Sequence, residues 1–176
     1  MLPLLLSLLA PPAADPFSAD NLVAWCVVPF DKKARGPADR ADMLAKLGFT
    51  KFAYDWRGQH LPTFDEEVGE LAKRKIELSA VWFPAGLGPD ARKLLAVIEK
   101  HKLKPQLWVT MGEPVGATQA EKVAAAAKAI RPIAEEADRL GCKVALYNHG
   151  GWFGEPENQI AVIDHLKLKN VGIVYN

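Results

Sequence analysis

The stretch from Leu146 to Asn158 concentrates groups that could handle a polar ligand. Asn148 brings a hydrogen-bonding amide, and His149 an imidazole able to take or give a proton near neutral pH. Trp152 and Phe153 offer flat apolar faces suited to the carbon face of a sugar ring. Gly150, Gly151 and Gly154 permit tight bending or close approach of the backbone. Pro156 suits the first turn of a helix, and Glu155 stands just before that helix, whose N-terminus favours an anion or a carboxylate. A glycine-rich turn with its aromatics packed on a rim would show the same residues.

A second group is Tyr54-Asp55-Trp56-Arg57-Gly58-Gln59-His60. Asp55 could act as a general base or accept sugar hydroxyls, and Arg57 could bind a carboxylate or phosphate. Trp56 and His60 would add substrate contacts. The alternative is a rim salt bridge between Asp55 and Arg57 beside a solvated His60. Glu113, in Thr110-Met111-Gly112-Glu113-Pro114, is a third acid/base candidate, although a surface glutamate would look the same. Trp82 is a candidate substrate contact that fits rim packing as well. His101 and His165 read as solvated, and Asp31, Lys32, Lys33 and Arg35 as a solvated loop. No Ser/His/Asp arrangement, Cys-x-x-Cys pair or His-Glu-x-x-His helix is present, so a metal site would have to be assembled from separate strand ends.

The elements that must position these groups alternate along the chain. Apolar strands are predicted at 21–28, 51–54, 76–82, 105–110, 143–148 and 171–175. Helices are predicted at 37–47, 63–74, 89–101 and 118–140 and from Pro156 onward. Thr63 with Glu66, and Thr118 with Glu121, read as capping boxes. Pro132 predicts a kink or break in its helix. Ile160, Ile163 and Leu166 are expected to face inward from the last helix.

Strict alternation with strands apolar on both faces implies a parallel sheet covered by helices. The helix-to-strand links are tiny, whereas the strand-to-helix loops are long and hold the polar candidates. Sites in such folds form at the carboxyl ends of the strands. The loop from Pro29 to Gly36 lacks a phosphate-cradling glycine pattern, which favours a barrel over an open doubly wound sheet. The expected fold is therefore α/β, a parallel TIM-type (β/α) barrel, incomplete, with about six strands and five helices.

Lys and Arg total 22 against 21 Asp and Glu in 176 residues, so nothing calls for a nucleic-acid partner or an anionic membrane surface. Residues 1–10 form an apolar run too short to span a bilayer, followed by small residues. The expectation is that residues 1–20 are a signal peptide and leader for export to the periplasm or outside the cell, leaving no membrane span after processing. Residues 21–176 would then form the partial barrel. Cys26 and Cys142 fall in or at predicted strands and read as small buried hydrophobes.

Leu47-Gly48-Phe49 leading into a strand, Val144 to His149 with its Asn-His ending, and Asn170-Val171-Gly172-Ile173 together resemble the xylose isomerase-like barrels, the sugar-phosphate isomerase/epimerase superfamily. The resemblance covers nearly all of residues 21–176. It implies metal-dependent isomerases or epimerases of sugars, with metal ligands at the ends of the later strands. Where that superfamily has Glu-Asn-His, this chain has Tyr147-Asn148-His149. Where its next strand ends in aspartate, this chain has Asn176. A phenol and an amide are poor replacements for anionic oxygen ligands.

Two functions follow as expectations. One is a sugar or sugar-phosphate isomerase/epimerase-like protein acting by proton transfer beside a carbonyl, recorded as a C-terminally truncated piece. Its acid/base candidates are Glu113, His149 and Asp55. Trp56, Arg57, His60, Trp82, Asn148, Trp152, Glu155 and Asn176 would contact substrate. The other is a non-catalytic carbohydrate-binding barrel that has lost its metal. A phosphodiester-cleaving relative fits poorly with the neutral charge and the expected export. A small carbohydrate is the expected partner in both leading cases. A divalent metal is implied by the resemblance, but its ligands and the oligomeric state are not legible in the sequence.

Overall fold

The computed structural model describes residues 15 and 18–175. The expected signal segment lies almost wholly outside the described residues, and Asn176 does too. Five strands, β1 (Lys51–Tyr54), β2 (Glu77–Phe83), β3 (Gln106–Val109), β4 (Lys143–Tyr147) and β5 (Val171–Val174), form one parallel sheet in chain order. Between them run α1 (Pro37–Lys46, before β1), α2 (Phe64–Lys73), α3 (Pro89–Lys100), α4 (Gln119–Arg139), the one-turn α5 (Gly151–Gly154) and α6 (Pro156–Leu166). Sequential parallel neighbours joined by helices are the arrangement expected of a (β/α) barrel wall.

Period-two alternation divides the sheet into two faces. Phe52, Tyr54, Val81, Phe83, Leu107, Val109, Val144 and Leu146 join Leu44, Leu71, Leu94, Ile98, Ile130 and Val162 of the helices in one core. Ala53, Ala80, Ala145 and Tyr147 are equally buried but stand outside that cluster. They belong to the opposite, inner face, along with Trp82 and Trp108.

The predicted strand over 21–28 shrinks to a single bridge. Ala24 N donates to Lys51 O and Ala53 N to Ala24 O, at 3.0 and 2.8 Å. Two residues later Cys26 enters the left-handed region (φ 55°), and the turn takes Val28 off the ladder. Cys26 is consequently exposed, not a buried hydrophobe, whereas Cys142 is buried; both are free.

Three further expectations change. Thr63 donates to His60 O at 3.0 Å because a 3-10 helix over Gly58–Thr63 precedes α2, so its capping box does not form. The Thr118–Glu121 box does form. Pro132 leaves α4 unbroken over 21 residues, as Ala126, Ala127 and Ile130 on one side and Ile133, Ala134 and Ala137 on the other are all buried. In α6 the inward face is Gln159, Val162 and Leu166, while Ile160 is 50% exposed.

The loop expected to be solvated is ordered by Asp31, whose carboxylate accepts Lys33 N and Arg35 N at 3.0 Å each and pairs with the Arg35 guanidinium. His101 is likewise partnered, with its Nε2 2.7 Å from Asp65 Oδ1.

Candidate carbohydrate site on the inner face

Trp82 and Trp108 are direct partners in the β2/β3 register, so both indoles rise from one row of the inner face. Tyr147 ends β4 beside them. Its ring centroid lies 4.6 Å from Trp82 and 5.8 Å from Trp108. Trp25, carried by the segment after the Ala24 bridge, reaches across from the other side. It meets Trp108 edge-on at 6.3 Å and Tyr147 at 6.2 Å. His149 stacks on Tyr147 at 5.7 Å with 29° between planes, and stands edge-on to Trp82 at 6.0 Å. Offset and edge-on contacts at these distances are the favoured geometries for aromatic pairs.

Trp25, Trp108 and Tyr147, with Leu22, Val174 and Tyr175, line an open hollow of about 290 Å³. Larger hollows, about 560 and 800 Å³, lie at the amino ends of β4 and β5 and beside α1. Their linings are mixed lysines, acids and small residues without an aromatic ring, so they offer nothing on which a sugar face could stack. The hollow lined by Trp25, Trp108 and Tyr147 is smaller but carries aromatic rings.

Asp55 follows β1 and is 2% exposed. Its Oδ1 accepts Val28 N at 3.3 Å, and its buried Oδ2 accepts no hydrogen bond. Burial pushes its pKa up to about 6, against the opposing pull of its own backbone N–H, the Val28 N–H, Arg57 and Arg40. The carboxylate is thus buried against the 24–28 segment and does not line the hollow. No salt bridge joins it to Arg57, whose Nη1 donates instead to the carbonyls of Asp55 and Trp56 while the guanidinium sits 6.0 Å above Phe30.

Trp56 is half-buried and donates through Nε1 to Trp82 O at 2.7 Å, bracing the strand that carries Trp82. His60 accepts Arg57 N at Nδ1, and burial followed by the nearby Arg40 and Arg57 charges lowers its pKa.

The other candidates are placed apart from the rings. Glu113 is exposed and pairs with Lys122 of α4. Trp152 donates through Nε1 to Gln119 of α4 at 2.9 Å, since the glycine-rich stretch forms α5 rather than an open loop. Gly154 is tight in that fold: a Cβ there would lie 3.3 Å from the His149 backbone. Glu155 is the exposed N-cap of α6 without a side-chain capping bond, and Asn148 is half-buried just beyond β4.

Trp25 and Trp108 are the ring-cluster members not anticipated from the sequence. For Trp108 a signal existed, because it alternates with the apolar pair Leu107 and Val109 as Trp82 does with Val81 and Phe83. Trp25 had none, as its position depends on the turn at Cys26.

A divalent metal does not fit the described residues. Tyr147 stands among aromatic rings where the resemblance would require a carboxylate. Among the described residues no group of three or more His, Cys, Asp or Glu side chains converges. Nor is any helix among them long and apolar enough to cross a membrane.

No protein-family model matches the chain, and no curated protein does either. Solved structures do. D-psicose 3-epimerase crystallised in the presence of D-fructose is 15% identical, with a TM-score of 0.56 over 81% of this chain and 58% of that one. A xylose isomerase domain protein from Planctomyces limnophilus is 11% identical, with a TM-score of 0.57 over 77% of this chain and 57% of that one. A protein from Sinorhizobium meliloti 1021 is 16% identical, with a TM-score of 0.65 over 90% and 63%. This chain therefore spans about three-fifths of the length of those proteins. At these identities the likeness establishes architecture, and the chain has the fold of the xylose isomerase-like TIM barrels.

Proposed function

We propose that this chain supplies the aromatic wall of a small-carbohydrate site in a sugar isomerase/epimerase-like barrel. The observation that carries the proposal is the convergence of Trp25, Trp82, Trp108, Tyr147 and His149 on one inner face at the strand ends. Ring faces pair with the C–H-rich face of a sugar, and an aromatic surface beside polar groups is what recognition of a partly polar ring requires. The likeness to a sugar epimerase crystallised with D-fructose supports the ligand class. Titration of the protein with D-fructose and other monosaccharides, followed by tryptophan fluorescence and calorimetry, tests it. Saturable quenching with matching heat supports the reading; neither signal with any monosaccharide at millimolar concentration overturns it.

Catalysis by proton transfer beside a carbonyl is a second reading, favoured by His149, whose exposed imidazole lies at the edge of the same rings. Asp55 in its buried position and Glu113 in its pair with Lys122 contribute less directly to it. Incubation with D-fructose in deuterated water separates the two readings. Deuterium entering the carbon next to the carbonyl supports catalysis, whereas binding without exchange leaves a recognition module.

A further inference from the structure

Asp55 is buried just beyond β1 at the carboxyl end of the sheet, and its Oδ1 accepts a backbone bond from a segment outside the strands. That segment changes direction at Cys26, a non-glycine residue in the left-handed region, a conformation costing on the order of 1 kcal/mol when not offset. What offsets it is on both sides of the turn. Before it, Ala24 is held to Lys51 and Ala53 of β1 by two backbone bonds. After it, Val28 N donates to Asp55 Oδ1. The Cys26 thiol lies against the same carboxylate, and burial followed by the Asp55 charge raises its pKa. Trp25 sits between the two anchors, where the alternation that sends Ala24 into the core sends the indole to the inner face.

We infer that Asp55 is a positioning residue, whose bond to Val28 fixes the Cys26 turn and thereby lays Trp25 across Trp108 and Tyr147. Its importance for ligand binding rests on the carbohydrate reading above; its effect on Trp25 does not. The groups facing the carboxylate are Cys26 and Val28 N from the segment, Arg57 beyond β1, Arg40 from α1 and the phenol of Tyr54. Burial of the carboxyl raises its pKa, whereas the Val28 N–H that it accepts draws it the other way.

The test uses the full-length protein labelled with 5-fluorotryptophan, with the Trp25 fluorine resonance assigned by its loss in Trp25→Phe. In Asp55→Ala the Trp25 resonance should move by more than its linewidth, and Val28 amide exchange should accelerate at least tenfold. Asp55→Asn keeps an acceptor for Val28 N–H and should restore both. An unmoved Trp25 resonance with unchanged Val28 exchange in Asp55→Ala overturns the inference, as does failure of Asn to restore them. Should Asp55→Ala not fold, Asp55→Val, which keeps the buried volume and removes the acceptor, is read in its place, with the same Trp25 shift and faster Val28 exchange expected. An unmoved Trp25 resonance with unchanged Val28 exchange in that variant is the overturning result. D-fructose affinity is read in parallel, with Asp55→Ala expected to weaken it by the same factor as Trp25→Ala. A wild-type protein that binds no sugar defeats the carbohydrate reading alone, and the fluorine resonance still decides the role of Asp55.

Discussion

The ring of Tyr147 lies 5.8 Å from that of Trp108 with only 24° between their planes, at the strand position where the superfamily resemblance places a metal-binding glutamate. The stack is closed on its other sides by Trp82, Trp25 and His149. A carboxylate in this surrounding would lose its hydration with no converging set of acidic, His or Cys ligands among the described residues to share a cation, whereas a phenol ring buries apolar area. The inner face is thus built for ring stacking at the point where the resemblance would call for ionic coordination.

Trp108→Leu should weaken monosaccharide binding about fivefold, since an aromatic contact is worth roughly 1 kcal/mol beyond the area it buries. Calorimetric titration of the variant against wild type measures this. Leucine keeps most of the apolar volume, so melting should change little, and equal affinity would remove Trp108 from the ligand contact.

Tyr147→Glu should destabilise the fold by roughly 3 kcal/mol, because it buries a carboxylate among rings and deletes four ring contacts. Manganese or magnesium should not recover the lost stability, as no second and third acidic ligand converge nearby among the described residues. Thermal melts with and without each ion check the point; a rise in melting temperature specific to the ion and the variant would show a usable coordination sphere.

Asp55 gives the stability a defined pH dependence. Its folded-state pKa of about 6 exceeds the unfolded value of 3.8, so between these pH values the folded chain holds the proton more tightly. Its contribution is therefore most favourable below the unfolded pKa and is lost as pH rises through about 6, a change on the order of 3 kcal/mol. Asp31, Asp65 and Glu70 have lowered pKa values and act in the opposite sense. The difference in urea stability between wild type and Asp55→Asn isolates the Asp55 effect: relative to the variant, wild type should be more stable at pH 4.5 than at pH 7.5. A difference independent of pH would contradict the assignment.

Arg40 and Glu67 form a buried pair between α1 and α2, with Arg40 Nε and Nη2 donating to the carboxylate at 2.9 and 2.7 Å and Nη1 to Arg35 O at 2.8 Å. Glu67→Leu alone should cost roughly 3–5 kcal/mol by stranding the guanidinium, while Arg40→Met with Glu67→Leu should recover most of that loss. Urea denaturation of the two variants measures it; equal losses would mean that the pair is worth more than its burial costs.

Much of the architecture was legible because it follows from local rules. Alternating apolar strands and amphipathic helices, Gly48 and Gly141 after helices, the Thr118–Glu121 capping box and the asymmetry of loop lengths all act within a few residues and point to a parallel barrel wall with its site at the carboxyl ends. The pairing of Tyr147 with His149 also follows from period two. Where local rules failed, a contact distant in sequence had prevailed. Val28 bonds to Asp55, 27 residues on, and so the expected first strand gives way to a turn; Trp152 bonds to Gln119, 33 residues back, and leaves the ring cluster it was expected to join.

The sequence by itself determined the α/β class, the order of the strands and the end of the sheet where chemistry is possible, since periodicity and capping are properties of short segments. Tertiary structure alone decided which of the polar and aromatic residues meet. It buried Asp55 against the 24–28 segment, drew Glu113 to Lys122 and set Trp25 beside Trp108 and Tyr147. Those outcomes depend on burial and on hydrogen bonds between residues far apart in the chain, and no spacing rule encodes them.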